Sequence, residues 1–314
     1  MPQELRVGYY PIRDNKLALW VAQDAKIFEK HGLEVALRDD ARGQTVEEVV
    51  SQKIDIGVVG FRAAVEALAD GADVAFIASL APNPFIFLAP PDIQSPQDLK
   101  GKKIWTAQPG SGPDVATRLV LAHLGINPEK DVEFVPSNGN HSIGVQWMLE
   151  GKVSASLSNR GKLKDLLREG KEVTLLADFI KSGLAITAAD VLVRRHWLEA
   201  NRDAAKNFLK AVIEATAFAK THKGFTDAIC KKYLLKDYVT GIETKFEDYV
   251  LAVLPEKPYP LTRGLEIAIR ELSPGDSFLR QRKAADFIDE SLVREIEKEG
   301  FFEQARAAVA DRVR

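Results

Sequence analysis

The sequence predicts an α/β protein with two α/β lobes, a two-crossing hinge and a C-terminal helical region. Short apolar strands alternate with helical patterns over about the first hundred residues, and the same alternation returns over 103–176. Such alternation is typical of right-handed βαβ units in a mainly parallel sheet. From about residue 200 onward the pattern is helical.

Two extended stretches, 85–91 and 190–195, lie between and after the two series. Two extended crossings between two lobes predict a hinge with a cleft between the lobes. We expect the crossing strands 85–89 and 191–195 to lie side by side. Lobe 1 is predicted to comprise residues 1–88 and 191–314, and lobe 2 residues 89–190.

The elements of the first lobe follow from apolar periodicity and from residues that begin or end helices. Leu19, Ala22 and Phe28 fall on one helical stripe, and Gly32 supplies the left-handed conformation common after a helix. Thr45 is placed as the N-cap of the next helix. Strands are predicted at 5–10, 33–37, 54–60 and 74–80, and helices at 18–31, 46–52 and 61–70.

The second lobe repeats this layout. The segments QKIDIGVVG at 52–60 and GKVSASLSN at 151–159 are interpreted as the same element used once per lobe. Each ends a strand on small or polar residues, where open α/β sheets present ligand-binding groups. Strands are predicted at 103–107, 132–135, 153–157 and 173–176, and helices at 115–124, 143–150 and 163–169. In the C-terminal helical region, which belongs to lobe 1, helices are predicted at 203–221, 225–234, 244–253, 262–272, 284–289 and 291–298.

Composition excludes several classes of function. The 314 residues include 43 basic and 45 acidic side chains, for a net charge of −2, so the chain lacks the excess of cations that nucleic-acid binding needs. The single cysteine, Cys230, excludes an internal disulfide and is expected to be a buried helix residue. The apolar runs are far shorter than the ~20 residues of a membrane helix.

Catalytic and metal-binding patterns are missing from the sequence. The five histidines show no His-Glu-x-x-His spacing, so no metal site is expected. No paired carboxylates, Gly-x-Ser-x-Gly elbow or cysteine–histidine pairing stands out. We therefore expect a binding protein without a cofactor, and an enzyme that uses His141 as a base is the alternative.

Polar and aromatic residues follow the first strand of lobe 1. Tyr9, Tyr10, Arg13 and Asn15 are predicted to face the cleft, where a guanidinium suits a sulfonate or carboxylate because it donates two parallel hydrogen bonds. Alternatively, one tyrosine packs inside the lobe, the other lies on the surface, and Arg13 is a solvated charge.

Further candidates in lobe 1 follow the later strands. The loop after strand two is either a ligand loop with side-chain donors or a plain surface turn. The end of strand three offers backbone amides to a ligand. Phe61 and Phe85 are predicted to form apolar walls of the site, and the alternative is that they are core residues. These candidates are Arg42, Gly43, Gln44, Gly60, Phe61 and Phe85.

The motif QPGSGPD at 108–114 is the leading candidate in lobe 2. Its glycines let the backbone approach a ligand, and the following helix N-terminus favours an oxyanion. No Gly-Lys-Ser or Gly-Lys-Thr follows, so it is not a nucleotide P-loop. The alternative is a helix-capping turn with Asp114 as the N-cap. The predicted ligand-binding residues of lobe 2 are Gln108, Gly110, Ser111, Gly112, Asn140, His141, Ser158, Asn159 and Arg160.

Four segments together resemble a known family. They are LRVGYYP at 5–11, WVAQDAKIFEKHGLEV at 20–35, DLKGKKI at 98–104 and FIDESLVREI at 287–296. They resemble the nitrate/sulfonate/taurine (NitT/TauT-type) substrate-binding family of ABC transporters, which is related to thiamine-pyrimidine-precursor binding proteins. The resemblance covers nearly the whole chain and implies the type II periplasmic-binding-protein fold.

The resemblance implies an extracytoplasmic, periplasmic solute-binding protein that acts as a monomer. Its ligand would be a small anionic or polar organic molecule, such as a sulfonate, a carboxylate or a related compound, aromatic compounds included. The protein would deliver this ligand to an ABC transporter permease. Members of the family are usually exported, so we expect a leader peptide that this sequence does not show at its start. If the natural protein has no leader, we expect a cytoplasmic location. Of the family's glycine-rich loop after strand two, only Gly43 is present.

Two alternatives remain within the same superfamily. One is an enzyme that resembles pyrimidine-precursor synthases or desulfinases, although the cysteine-rich stretch of the former and the N-terminal cysteine of the latter are missing. The other is a ligand sensor that hands its signal to a protein partner.

Overall fold

The computed structural model describes residues 2–10, 12–40, 43–60, 71–109, 111–138, 141–184, 186–234, 246–263, 265–266, 269 and 281–310. The helix predicted at 61–70 and most of the one predicted at 262–272 lie outside these residues.

The chain divides into two compact units. Unit 1 comprises Met1–Pro82, Thr187–Thr262 and Asp276–Arg314, and unit 2 comprises Asn83–Ile186 and Arg263–Gly275. The units change at 82/83 and 186/187, whereas the predicted lobes change at 88/89 and 190/191. Each unit mixes helices with a sheet, which confirms the α/β class.

Ten strands and eleven α-helices lie in the described part of the chain. The strands are β1 (Gln3–Tyr9), β2 (Leu33–Asp39), β3 (Ile56–Val59), β4 (Val74–Pro82), β5 (Phe85–Ala89), β6 (Lys103–Thr106), β7 (Glu133–Pro136), β8 (Ser156–Asn159), β9 (Thr174–Asp178) and β10 (Thr187–Arg194). The helices are α1 (Leu17–Asp24), α2 (Ile27–Lys30), α3 (Thr45–Val50), α4 (Gly112–His123), α5 (His141–Leu149), α6 (Arg160–Arg168), α7 (Arg195–Ala200), α8 (Arg202–Thr221), α9 (Lys223–Tyr233), α10 (Ser291–Lys298) and α11 (Phe301–Ala310). Short 3-10 helices span Asp14–Lys16, Pro96–Leu99 and Ala284–Phe287, and a π-helix spans Phe246–Leu251.

Unit 1 contains a five-stranded sheet in the order β2-β1-β3-β10-β4. β1 pairs in parallel with β2 and β3, and β10 runs antiparallel to both β3 and β4. β3 and β4 are buried along their whole length, as expected for apolar strands covered on both faces. Helix α1 packs against α8, and Phe28 stacks on Phe208 with ring centroids 5.7 Å apart.

Unit 2 repeats this strand order. β5 runs antiparallel between β8 and β9, and β6 pairs in parallel with β7. A parallel bridge between Ile104 and Ala155 joins the two ladders, so the order is β7-β6-β8-β5-β9. β8 therefore holds the position that β3 holds in unit 1. This confirms that 52–60 and 151–159 are the same element used twice.

The chain passes between the units at two neighbouring positions. Pro82 at the end of β4 pairs with Thr187 at the start of β10. Within unit 2, the amide of Asn83 donates to the carbonyl of Ile186 at 2.7 Å. The expectation that 85–89 and 191–195 lie side by side is wrong. Each stretch completes the sheet of a different unit, where its backbone groups find partners on both sides.

Several element boundaries differ from the predictions. The helix predicted at 18–31 is broken between α1 and α2, where Lys26 adopts a left-handed φ of 55°. Gln44 rather than Thr45 is the N-cap of α3, and the Thr45 hydroxyl donates to Asp40 Oδ2 at 3.0 Å. β8 begins at Ser156 instead of 153. Helices α7 and α11 were not predicted.

Other predictions of the C-terminal half are confirmed. Helix α10 spans Ser291–Lys298 as predicted, and Cys230 is a buried residue of α9. In the described ranges, none of the helices combines the length and apolar character needed to span a bilayer.

Candidate functional site

In unit 1 the candidate residues gather at one edge of the sheet. Because β10 is antiparallel to β3 and β4, its first residues lie beside the carboxyl ends of the other strands. We call this edge, with the segments 9–10, 12–16, 39–40, 43–44, 59–60, 81–82 and 187–190, the carboxyl edge of unit 1. Arg42 and Phe61 lie outside the described residues.

Two tyrosines end β1 in contrasting surroundings. Tyr9 is 5% exposed and packs edge-on against Trp20 with centroids 6.1 Å apart, whereas Tyr10 is 39% exposed. Burial raises the pKa of the Tyr9 hydroxyl. This arrangement agrees with the alternative prediction, in which one tyrosine packs inside the lobe and the other lies on the surface. Of the two, Tyr10 is the one that can contact a ligand.

The loop after β2 lies next to Tyr10. Gly43 has a left-handed φ of 74°, and a Cβ at this position would come within 3.4 Å of the Tyr10 ring. Gln44 is exposed beside it. At the end of β3, Gly60 is half-buried, with open space where a Cβ would point. The backbone at Gly60 is therefore open to close approach, whereas the Tyr10 ring covers Gly43 on the side where a Cβ would point.

Asn15 is a buried structural residue of this edge. Its Nδ2 donates to the carbonyl of Ala188 at 3.0 Å, which fixes the turn after β1 to the start of β10. Its Oδ1 accepts a hydrogen bond from Lys16 Nζ at 3.0 Å. Arg13, which precedes this turn, is exposed.

Lys16 is a residue that the sequence analysis missed. Its side chain is 0% exposed. Burial lowers the pKa of Lys16 to about 7, while Asp190 and Asp14 act in the opposite direction and Arg13 adds to the lowering. A signal was present, because Lys16 lies three residues before Leu19 on the buried stripe of α1, where a lysine is unusual.

In unit 2 the equivalent edge carries the turn before α4. Ser111 is the N-cap, and its Oγ accepts from the amide of Asp114 at 3.4 Å. The expectation that Asp114 caps this helix is therefore wrong. Asp114 is 1% exposed, accepts from Thr106 Oγ1 at 2.7 Å and pairs with Arg118 Nε at 3.3 Å. Its charge is thus directed away from the turn.

The neighbouring loops of unit 2 are linked at the surface. Gln108 Nε2 donates to Asn138 Oδ1 at 3.2 Å, which joins the loops after β6 and β7. Gly112 has open space where a Cβ would point. Gly110 and Asn140 lie outside the described residues, as does the side chain of His141, the first residue of α5.

Arg160, predicted as a ligand donor, is engaged by Asp178. Its Nη2 and Nε donate to Asp178 Oδ2 at 2.7 and 3.1 Å. Asp178 Oδ1 accepts from the amides of Ile180 and Lys181 at 3.1 and 3.2 Å. This partner comes from the end of β9 and was not predicted from the sequence.

The other candidates of unit 2 are mainly structural. Asn159 Oδ1 caps α6 by accepting from the amide of Lys162 at 2.9 Å. Phe85 is 7% exposed and packs edge-on against Phe179 with centroids 5.9 Å apart. It is therefore a core residue, which was the alternative to an apolar wall for the ligand. Ser158 is fully buried, and its Oγ has no hydrogen-bond partner among the described residues.

Each unit thus presents hydroxyl, amide and cationic donors at the carboxyl ends of its strands. Such groups can hold an anionic or polar ligand. Among the described residues, no group of three or more His, Cys, Asp or Glu side chains is placed to hold a metal ion.

Comparison with known proteins identifies the relatives of the chain. Residues 14–223 match the family model described as NMT1/THI5 like. The chain is 27% identical over 246 residues to the Bacillus subtilis protein named "Putative binding protein YtlA", an alignment that covers 74% of this chain and 71% of YtlA. It is also 26% identical over 218 residues to the 4-amino-5-hydroxymethyl-2-methylpyrimidine phosphate synthase THI13 of Saccharomyces cerevisiae, over 64% of this chain and 62% of THI13.

Solved structures share the fold at low sequence identity. The periplasmic aliphatic sulphonate binding protein SsuA from Escherichia coli aligns with a TM-score of 0.67 and 20% identity, covering 91% of this chain and 99% of SsuA. The fold is therefore that of the periplasmic binding proteins, as the resemblance implied. Because the family model covers most of the chain, from residue 14 to residue 223, this protein belongs to the NMT1/THI5-like family.

Proposed function

We propose that the protein is an extracytoplasmic solute-binding protein of an ABC importer. The observation that carries this proposal is the repeated strand order, which places the candidate loops of both units at equivalent edges. In open α/β sheets, ligands bind outside the carboxyl ends of the strands. Relatives that are named as binding proteins, SsuA and YtlA, support the same role.

The proposed ligand is a small organic molecule with an anionic group, such as a sulfonate or carboxylate. Support comes from the N-terminus of α4 at Ser111 and Gly112, where the helix dipole favours negative charge. The exposed ring of Tyr10 suits an organic portion of the ligand. Nitrate is disfavoured, because the exposed ring of Tyr10 offers apolar surface that such a small, strongly hydrated ion would not fill.

Hinge closure is the proposed mode of binding. We propose a hinge at the two passages of the chain, 82/83 and 186/187, which lie at neighbouring positions within each unit. Closure of two lobes on a ligand is a common mechanism of such proteins. We further propose that the protein acts as a periplasmic monomer and delivers its ligand to a transporter permease.

A thermal-shift screen of the purified protein tests this function. The panel contains alkanesulfonates, carboxylates, nitrate and pyrimidines, each in cationic buffer because sulfonate buffers would compete. A ligand at ~100 times its Kd stabilises the folded state by ~2.7 kcal/mol. Mass spectrometry of the recovered ligand then distinguishes binding from turnover.

Each result of the screen has a defined meaning. Stabilisation by a sulfonate or carboxylate that is recovered unchanged supports the proposal. Stabilisation by a neutral pyrimidine alone contradicts the anionic ligand. Conversion of the ligand contradicts a pure binding role and favours an activity related to that of THI13.

A further inference from the structure

Lys16 places a positive charge at the carboxyl edge of unit 1. It ends the 3-10 helix Asp14–Lys16, which follows β1 and packs against β4 and β10. The neighbouring Asn15 donates to the carbonyl of Ala188, the second residue of strand β10. The side chain of Lys16 is therefore held at the end of the sheet where the ligand is proposed to bind.

The Lys16 ammonium has unused hydrogen-bonding capacity. Its side chain is 0% exposed, and its hydrogen bond in the described part of the chain is to Asn15 Oδ1 at 3.0 Å. An ammonium has three donors. Burial of a cation with so few partners is unfavourable, so a nearby anion would stabilise the charged form.

The charged groups around Lys16 come from two elements. Asp190 of β10 and Asp14 of the same turn favour the charged ammonium, and Arg13 disfavours it. β4, the other strand that packs against the turn, has no titratable side chain along Val74–Pro82. Burial is the largest influence and lowers the pKa of Lys16 to about 7.

We propose that the Lys16 ammonium is the countercharge for the anionic group of the ligand, and that ligand binding at this edge is coupled to uptake of a proton by Lys16. This inference rests on the proposed solute-binding function. A countercharge acts over ~4–6 Å, so the ligand binds next to the Asn15–Lys16 pair without Lys16 being exposed beforehand.

The direction of the pH effect follows from linkage. The free protein holds the Lys16 proton below about pH 7 and loses it above, whereas an adjacent anion raises the pKa of the lysine in the complex. Above pH 7, ligand binding must therefore be accompanied by uptake of a proton from solution by Lys16. Affinity should therefore fall as the pH rises above 7, by up to about tenfold per pH unit for a single coupled proton.

Calorimetric titration of the full chain tests the coupling. The probes are butanesulfonate, which keeps its charge over this pH range, and succinate. Titrations at pH 8 in Tris and in triethanolamine, whose ionisation enthalpies differ, should show net proton uptake that approaches one proton per ligand. Affinity is measured at pH 7, 8 and 9.

Two variants assign the effect to Lys16. Lys16→Met should bind both probes at least tenfold more weakly at pH 7 and show no proton uptake. Lys53→Met is the matched control, because Lys53 is exposed just before β3, at the opposite edge of the same sheet, and it should behave like the wild type.

The possible results separate this inference from the proposed function. Anion binding by the wild type without proton uptake and with equal affinity at pH 7 and 9 overturns the role of Lys16 and leaves solute binding intact. The wild-type measurement decides this even if Lys16→Met does not fold. If neither anion binds at any pH, the inference fails, and binding of a neutral pyrimidine in the same assay would still preserve the solute-binding function.

Discussion

Asp178 Oδ2 accepts hydrogen bonds from both Nε and Nη2 of Arg160, at 3.1 and 2.7 Å. The carboxylate is nearly buried, and the guanidinium is about a quarter exposed. The pair joins the end of β9 to the start of α6 at the edge of unit 2 where the candidate residues gather. A ligand donor that is already paired with a carboxylate must share its hydrogen bonds.

Substitutions at this pair should separate binding from stability. Arg160→Met and Asp178→Asn should each lower the free energy of unfolding by about 1–2 kcal/mol, because each leaves a partner without its charge-assisted bonds. If Arg160 also contacts the anion, Arg160→Met should weaken binding at least tenfold, while Asp178→Asn should maintain or strengthen it. Urea denaturation and calorimetry measure the two effects. If both variants bind the ligand with wild-type affinity, the pair has only a structural role.

The turn before α4 can be tested with three substitutions at Ser111. Ser111→Asp keeps an N-cap side chain but adds a negative charge, so stability should change by less than about 0.5 kcal/mol while anion binding falls at least tenfold. Ser111→Ala should lose about 1 kcal/mol of stability through the lost cap. Ser111→Leu should weaken binding in a folded protein. Wild-type affinity of folded Ser111→Asp would show that the turn is a helix cap only.

A buried carboxylate, Glu214, joins α8 to the end of α2. It is 3% exposed and accepts from Lys30 Nζ at 2.6 Å and His31 Nε2 at 3.0 Å. Burial alone would raise the pKa of Glu214, but the hydrogen bonds from His31 and Lys30 outweigh burial and lower it. Glu214→Ala should therefore lower stability by about 2–3 kcal/mol at pH 7.

The pH dependence of the Glu214 effect has a definite sign. Because the pKa is lower in the folded state, the stabilisation is present above the ordinary value of 4.5 and is lost as the pH falls below it. The difference in denaturation midpoint between the wild type and Glu214→Ala should therefore shrink as the pH falls from about 5 to 3. Lys30→Met, which removes a half-exposed partner, should cost less than about 1 kcal/mol. A difference independent of pH would contradict an ionised Glu214.

Helix α5 packs closely on the sheet of unit 2 through Gly144. A Cβ at Gly144 would lie 2.5 Å from Trp105 Cδ2 and closer still to Ser156 Oγ. Gly144→Ala should therefore lower the thermal midpoint, with a loss of about 1–3 kcal/mol through overpacking. Gly224→Ala in α9 is the control, because nothing lies within 4 Å of its added Cβ. It should stabilise the protein by about 0.5–1 kcal/mol, and an equal loss in both variants would contradict the packing interpretation.

The sequence by itself determined the class of fold and many of its elements. Apolar periodicity located α10 at Ser291–Lys298, and the likeness of 52–60 to 151–159 indicated that β3 and β8 are equivalent. These features depend on residues close together in the chain, where periodicity and helix-ending residues act directly. The ligand-binding residues stay a prediction.

Only the tertiary structure decided which candidate side chains are available to a ligand. Arg160 and Asp178 are separated by 18 residues, and Asn15 and Ala188 by 173, so local patterning gives no sign of either contact. Asp114, the predicted cap of α4, instead accepts a hydrogen bond from Thr106 of β6, and Ser111 caps the helix. Likewise, Lys16 falls on the helical stripe of α1, but only its packing against β4 and β10 shows that its charge is fully buried. Burial and pairing are set by strands brought together across the sheet, and a pKa responds to those distant neighbours rather than to adjacent residues.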